Sequence, residues 1–335
     1  MTNSNRTEVL PARLFDIAIV VAAKNEAAHL KECIDSLLRA ARREAEIIVV
    51  DDGSTDDSRS ILAQYKKKIR VLDGGGKGPG HARNLALQST DRGWIAFTDA
   101  DAQVHPDWLE QLRALTIYFT HTVSSVGGVQ VISRHAPSME RIFGRFFLSI
   151  GFISDYIHSS ENLRTVRHNP TCNVLYRRSA IESVGGFDES LWPCEDLDLD
   201  LRLERKGFTA LFTPAAVVEH RRPATFRSFF RMMKRYGFAH AQLVKKHGFC
   251  QKIHLLPLLF PLGAILLFIL WHKPIWLVAA TGVSIFSGWA VLAFRSKGWI
   301  PGALFTALLS VSIVCWLIGF YPGLLGQRRI ATAHG

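Results

Sequence analysis

Cysteine is scarce in this 335-residue chain, and the five present, Cys33, Cys172, Cys194, Cys250 and Cys315, show no CxxC spacing. That argues against a disulfide framework or a zinc site and suits a reducing compartment. Residues 1–10 lack the basic-then-apolar order of a secretory leader, so the N-terminal part is expected to stay in the cytoplasm. No GK[ST] follows the glycine-rich loop at residues 74–80, which disfavours a nucleoside triphosphatase. No nucleic-acid-binding signature accompanies the formal net charge of +11. The charge therefore points to an anionic membrane surface or anionic substrates, with no nucleic acid as a partner.

What is present is an alternation. Ile17-Ala18-Ile19-Val20-Val21 is a continuous apolar run, as expected of a strand covered on both faces of a parallel sheet. Leu30, Cys33, Ile34, Leu37 and Leu38 follow at helical spacing. Strands are predicted over 46–50, 69–72, 94–97 and 209–213, with helices at about 56–65 and 81–88. This order implies an α/β, Rossmann-like, doubly wound and mostly parallel sheet, whose ligands bind at the carboxyl ends of the strands.

The polar loops fall at those ends. Asp99-Ala100-Asp101 follows the run Trp94-Ile95-Ala96-Phe97. Two carboxylates one residue apart at the end of a buried strand can face one hard divalent cation, Mg²⁺ or Mn²⁺, which bridges phosphates. Asp51-Asp52-Gly53-Ser54 has two readings: a turn before a capped helix, or carboxylates that hold a base imide or ribose hydroxyls. Lys77, within the glycine-rich loop, and Arg83, just after it, suit a diphosphate at a helix start.

Four stretches in this order, Val20-Val21-Ala22-Ala23-Lys24-Asn25-Glu26, Ile48-Val49-Val50-Asp51-Asp52-Gly53-Ser54-Thr55-Asp56, Gly78-Pro79-Gly80-His81-Ala82-Arg83-Asn84 and Asp99-Ala100-Asp101, resemble glycosyltransferase family 2. The likeness covers about residues 15–245. It implies a GT-A fold, a nucleotide-diphospho-sugar donor and a divalent metal. It also implies that Ala22, Ala23, Asn25, Glu26, Asp51, Asp52, Lys77, Gly78, Arg83, Asp99, Ala100 and Asn173 line the donor site. Ala22 stands where the family usually has proline. The metal motif is similar to that of polyprenyl-phosphate sugar synthases, so Gln103 joins Asp99 and Asp101 as an expected ligand. His220 either completes the shell, as in some GT-A enzymes, or is a surface histidine beside Arg221 and Arg222.

An inverting sugar transfer needs a carboxylate to take the acceptor's proton. The family's Glu-Asp motif matches Glu195 and Asp196; Asp196 is the expected base and Glu195 the alternative, while an ordinary acidic helix start would explain both without catalysis. The family's processive members carry Gln-x-x-Arg-Trp near residue 231. Here Arg231-Met232-Met233-Lys234-Arg235-Tyr236 replaces it, favouring one sugar per encounter over polymer synthesis.

The C-terminal quarter is almost wholly apolar. A basic amphipathic helix at 225–252 reads as interfacial, with packing against the catalytic part as the competing reading. Residues 253–271, 275–294 and 299–325 are each long enough to span, giving an anchor of two to three transmembrane segments over 253–326. The remaining divisions are tails at 1–14 and 327–335 and a catalytic domain at 15–224. Basic residues before the first segment place the catalytic part in the cytoplasm, on a multi-pass inner-membrane protein. Arg295 and Lys297 would then also lie inside, and Arg328 and Arg329 outside after three full crossings, unless the third segment is re-entrant or interfacial. The expected acceptor is lipid-linked, such as a polyprenyl phosphate, or a glycan. Self-association or a place in a glycan-assembly complex completes the expected partners. The rivals are a processive polysaccharide synthase, a sugar nucleotidyltransferase, which would need a GxGxR-type loop after the first strand, and a non-enzymatic membrane scaffold.

Overall fold

The computed structural model describes residues 13, 16–119, 121–150, 163–258, 262, 265, 268, 274–295 and 298–326. The expected N-terminal tail apart from Arg13, most of the first expected span, the break at His272 and Lys273, and Lys297, Arg328 and Arg329 lie outside these residues.

The chain divides into two units, the first running to Ala136 and resuming through Arg221. Its strands are β1 (Ile17–Ala23), β2 (Glu46–Asp51), β3 (Arg70–Asp73), β4 (Trp94–Asp99), β5 (Ala102–Val104), β6 (Val123–Val131), β7 (Arg164–Val166), β8 (Asn173–Arg177) and β9 (Thr209–His220). Its helices are α1 (Leu30–Ala40), α2 (Ser58–Tyr65), α3 (Pro79–Gln88), α4 (Trp108–Ala114), α6 (Arg178–Ser183) and α7 (Glu195–Arg205); α5 (Ser138–Ile150) belongs to the second unit. The strands join in one sheet ordered β3-β2-β1-β4-β8-β6-β9-β5, with β7 on β9. β1 to β4 pair in parallel, while β8 runs antiparallel to both β4 and β6.

The apolar run of β1 is fully buried because helices cover both faces. Ile17, Ile19 and Val21 pack with Leu30, Ile34 and Leu37 of α1 and Trp108 of α4. Ala18 and Val20 pack with Ala82 and Ala86 of α3 and Leu199 and Leu203 of α7. Fully burying each such Ile, Leu or Val is worth about 1.5–3 kcal/mol, which is what ties the polar loops at the strand ends to a rigid base.

Asn173, expected to contact sugar, is corrected by its surroundings. It is fully buried at the start of β8. Its Oδ1 accepts from Trp108 Nε1 at 2.7 Å, and its Nδ2 donates to the carbonyls of Val129 at 2.9 Å and Ala216 at 3.0 Å. Those bonds tie α4, β6, β8 and β9 together, so Asn173 is structural. Gly128 makes room for it: a Cβ there would stand 2.1 Å from the Ala216 carbonyl and 2.7 Å from Asn173 Nδ2.

The second unit contains α5, α8 (Phe226–His247), α9 (Pro274–Arg295) and α10 (Trp299–Leu324). The expected catalytic domain, 15–224, includes residues 137–150, but their apolar face joins this unit. Phe143 stacks on Phe229 with ring centroids 4.3 Å apart, and Phe146 meets Phe305 at 5.8 Å. α8 starts at Thr225, whose side chain accepts from Ser228 N in a capping box. The expected interfacial helix packs along α10, where glycines permit close backbone approach. A Cβ at Gly237 would lie 1.9 Å from the Trp316 carbonyl, and one at Gly319 1.9 Å from that of Lys234. Among the described residues one helix, Pro301–Leu324, is long and apolar enough to cross a membrane.

Gly128→Ala is expected to destabilise the first unit by about 1–3 kcal/mol through overpacking. Thermal unfolding of the purified protein would register this as a lowered midpoint, whereas an unchanged midpoint would mean that β6 and β9 are not held as described.

Candidate active site

The first site element is a pair of stitched loops. Asn25 adopts a left-handed φ of 55°. Its N–H donates to Ser54 Oγ at 3.0 Å, and its Oδ1 accepts from Thr55 N at 2.8 Å. Glu26 N donates to Ser58 Oγ at 3.0 Å, so the loop after β1 is fastened to the loop after β2. Asp51 serves the turn: it accepts from Ser54 N at 3.0 Å and from Arg59 Nε at 2.6 Å. Asp52 ties in the glycine-rich loop. Both its oxygens accept from Gly78 N at 3.0 Å, and Lys24 Nζ lies 3.8 Å away. Gly78 has a φ of 104°, which favours glycine, and Pro79 opens α3 directly after it. Lys77 is exposed on this loop. Ala22 and Ala23 end β1, and the Ala23 carbonyl accepts from Asp52 N at 2.8 Å.

The second element is acidic. β4 ends at Asp99 and β5 begins at Ala102, so the intervening turn presents Asp99 and Asp101 together, with Ala100 buried between them. Ala102 pairs with His220 across the antiparallel β5–β9 ladder. That register brings a residue far along the chain to the turn. His220 Nε2 lies 3.2 Å from Asp101 Oδ1 and 3.5 Å from Asp99 Oδ2. One ligand atom from each of the three residues falls within 4.8 Å of the others.

The electrostatics fit a cation there. Burial, together with Asp101 and Asp99, pushes Glu26 up to about 8. Asp99 is also raised, first by burial, although His220 and Arg83 oppose it. Burial works against Asp101 as well, but His220 outweighs it and holds its pKa below the ordinary range. His220 itself stands well above its ordinary value, because Asp101 overcomes the cost of burying the charged ring. Carboxylates this crowded store negative charge that a divalent ion relieves. Two carboxylates and one imidazole form a donor set suited to Mn²⁺ or Mg²⁺. His220 Nδ1 donates to Gln130 Oε1 at 3.1 Å, which aims Nε2 at the carboxylates. Gln103 is held differently: its Nε2 donates to Glu32 Oε2 at 2.6 Å.

The third element joins the first two. Arg83 on α3 is 5% exposed; its Nη1 bonds Glu195 Oε1 at 2.5 Å and its Nη2 bonds Asp99 Oδ1 at 3.3 Å. One guanidinium thus links the acidic turn to the start of α7. Burial raises the Glu195 pKa, with Arg83 pulling against it. Glu195 is thereby committed to an internal ion pair. Asp196, the next residue, is more accessible, and its Oδ2 accepts from Thr171 N at 3.3 Å. Of the two carboxylates left open by the sequence, Asp196 is the more exposed, at 21% against 7% for Glu195.

Sequence reasoning missed Gln130. The sequence signal was faint, a long polar side chain between Val129 and Val131 in a strand that also holds Ser124 and Ser125; its need for a partner shows only in its burial, at 3% exposed.

A mostly parallel sheet that ends in paired carboxylates, closed over by an antiparallel strand bearing a histidine, is the GT-A architecture used by nucleotide-sugar transferases. The chain belongs to glycosyl transferase family 2, whose model matches residues 18–185. It is 29% identical over 240 residues to the pre-mycofactocin glycosyltransferase of Mycobacterium tuberculosis, a match covering 69% of this chain and 48% of that protein, so the alignment spans about half the relative's length. It is 27% identical over 331 residues to the succinoglycan biosynthesis protein ExoA of Rhizobium meliloti, covering 93% of this chain and 96% of that one. In structure it resembles the mannosyltransferase PcManGT of Pyrobaculum calidifontis, solved with GDP-Man and Mn²⁺, at a TM-score of 0.63 and 20% identity, over 91% of this chain and 87% of that one.

Two substitutions probe this geometry. Gln130→Ala should weaken Mn²⁺ binding by about 10- to 100-fold, as loss of a histidine's outer partner does, with calorimetric titration as the measure. Arg83→Met should cost about 3–5 kcal/mol of stability, because Asp99 and Glu195 would lose their buried partner; a denaturation midpoint equal to wild type would contradict the triad.

Proposed function

We propose that this protein is an inverting glycosyltransferase that moves one sugar from a nucleotide-diphospho-sugar to a membrane-associated, lipid-linked acceptor in cell-surface glycan synthesis. The observation that carries the reading is the Arg83 bridge, which sets the group of Asp99, Asp101 and His220 beside the helix start that bears Asp196.

In this reading the loop residues Asn25, Asp51 and Asp52 shape the nucleoside pocket, and Lys77 on the glycine-rich loop approaches the diphosphate. Asp99, Asp101 and His220 would hold a divalent cation. When bound, that cation neutralises the charge that grows on the leaving diphosphate. Asp196 takes the proton of the acceptor hydroxyl as that oxygen attacks the anomeric carbon from the face opposite the diphosphate. Glu195 stays paired with Arg83 and keeps Asp196 in register at the start of α7. Attack from the opposite face inverts the anomeric centre.

The donor is a UDP-sugar in the commonest case for such a site, and a GDP-sugar is the alternative that the mannosyltransferase neighbour supports. The succinoglycan relative, aligned over nearly its whole length, supports a role in assembling extracellular polysaccharide. The apolar helix Pro301–Leu324 supports attachment to a membrane, where a polyprenyl-linked acceptor resides. Arg231, Lys234, Arg235, Lys245, Lys246 and Lys252 favour the cytoplasmic side of an inner membrane for the catalytic unit. A processive synthase is disfavoured by the missing Gln-x-x-Arg-Trp.

Membranes containing the protein should consume one donor from a panel of UDP- and GDP-sugars and yield an organic-extractable product. EDTA should abolish the reaction and Mn²⁺ restore it, and Asp99→Ala and Asp196→Asn should each lower the rate by at least about 100-fold. Turnover that survives EDTA and both substitutions would overturn the assignment.

A further inference from the structure

Behind Asp196 lies a charged array that the mechanism above does not use. His168 stands just before the loop that leads into β8, and α7 faces it with two acids one helical turn apart. Its Nδ1 bonds Asp200 Oδ2 at 2.7 Å, and its Nε2 lies 3.9 Å from Asp196 Oδ2. Asp200 is 4% exposed, and its two oxygens are shared among three donors. Oδ1 accepts from Tyr176 Oη at 2.6 Å, and Oδ2 accepts from Asn169 N at 2.8 Å as well as from His168. The ring is therefore oriented from behind by a carboxylate that is itself fixed by the sheet. Its Nε2 edge faces Asp196.

Such an arrangement is costly to build. A buried acid that accepts from a tyrosine, a backbone amide and an imidazole is a satisfied network, and it can hold its members only in one geometry. Two acids at i and i+4 on one helix repel each other unless a cation stands between them. His168 occupies that place. Burial disfavours the charged ring, but Asp196 and Asp200 outweigh it, so its pKa stands above the ordinary imidazole value. The charged groups facing it are Asp200 and Asp196, with Glu195 beyond them on the same helix, and Tyr176 of β8 reaches it through Asp200.

We propose that His168, oriented by Asp200, is a positioning residue for the transfer: it holds the Asp196 carboxylate toward the acceptor hydroxyl. The proposal rests on Asp196 being the base. The acceptor's proton passes to Asp196, the bond from the acceptor oxygen to the anomeric carbon forms as the bond to the diphosphate breaks, and the diphosphate leaves with the electron pair. His168 takes no atom in this step; it restricts the carboxylate to the productive rotamer, and an error of about 1 Å in such a group can cost about 100-fold in rate.

The test uses the full-length protein in membranes, with donor affinity as the control for folding. His168→Phe should lower kcat by about 100-fold while leaving the donor KM within about twofold, because the groups that hold the donor lie elsewhere. His168→Gln keeps a donor N–H near the same place and should recover at least about tenfold of that loss. The wild-type rate should also fall on the basic side, above the ordinary imidazole pKa, as the ring loses its proton; the His168→Gln profile should lack that limb. Asp196→Asn separates the two levels of the claim. If Asp196→Asn is inactive while His168→Phe keeps the wild-type kcat and pH profile, the positioning role is wrong and the base assignment stands. If Asp196→Asn turns over normally, the base assignment itself has failed. A loss of donor binding in His168→Phe with no rescue by His168→Gln would make the residue structural, and that too would overturn the proposal.

Discussion

The site depends on one buried guanidinium. Arg83 sits between Asp99 and Glu195, each drawn from a different part of the chain, and neither Arg83 nor Glu195 could be buried alone without a large penalty. Arginine suits this position because its planar fork reaches two carboxylates at once and stays charged in a dry environment. Its placement follows from α3, which begins at the glycine-rich loop and lies against the sheet through Ala82 and Ala86. The same short segment thus carries the loop that Asp52 fastens and the cation that joins the two acidic motifs. Because Asp99 is held by Arg83 on one side, it has one oxygen left to turn toward His220 and Asp101.

Much of this was legible in the sequence wherever a residue's role is set by its own neighbours. The continuous run Ile17-Ala18-Ile19-Val20-Val21 is buried on both faces, and the polar loops stand at the carboxyl ends of their strands. Asp99 and Asp101 lie one residue apart at the turn between β4 and β5, and both carboxylates join the group with His220. What stayed hidden was set by strand register. His220 reaches the acidic turn only because β9 runs beyond the predicted 209–213 and pairs with β5 at Ala102. The choice between a ligand and a surface histidine could not be made without that pairing.

The acidic run after Cys194 is the clearest case of chemistry that sequence alone leaves undivided. Of the five acids in eleven residues, the family motif singles out Glu195 and Asp196 but does not divide the two. The fold sorts them by what they face. Glu195 pairs with Arg83, Asp198 with Arg202 at 2.8 Å, and Asp200 with His168, which leaves Asp196 as the acid of the first turn that is both accessible and beside the acidic group. Asn173 went the other way: an amide that read as a sugar contact is consumed by the sheet. Asp51, one of two adjacent acids, is taken up by Ser54 and Arg59, and this supports the turn reading for that residue while Asp52 secures the neighbouring loop.

The central claim is that Asp196 delivers the acceptor oxygen from the face opposite the leaving diphosphate. The most direct measurement is the anomeric configuration of the first-formed product, read by proton NMR coupling constants from a donor of known configuration. The account predicts inversion in every product molecule. A product that retains the donor's configuration would require a double displacement through a covalent intermediate, and the assignment of Asp196 as a base would have to be withdrawn.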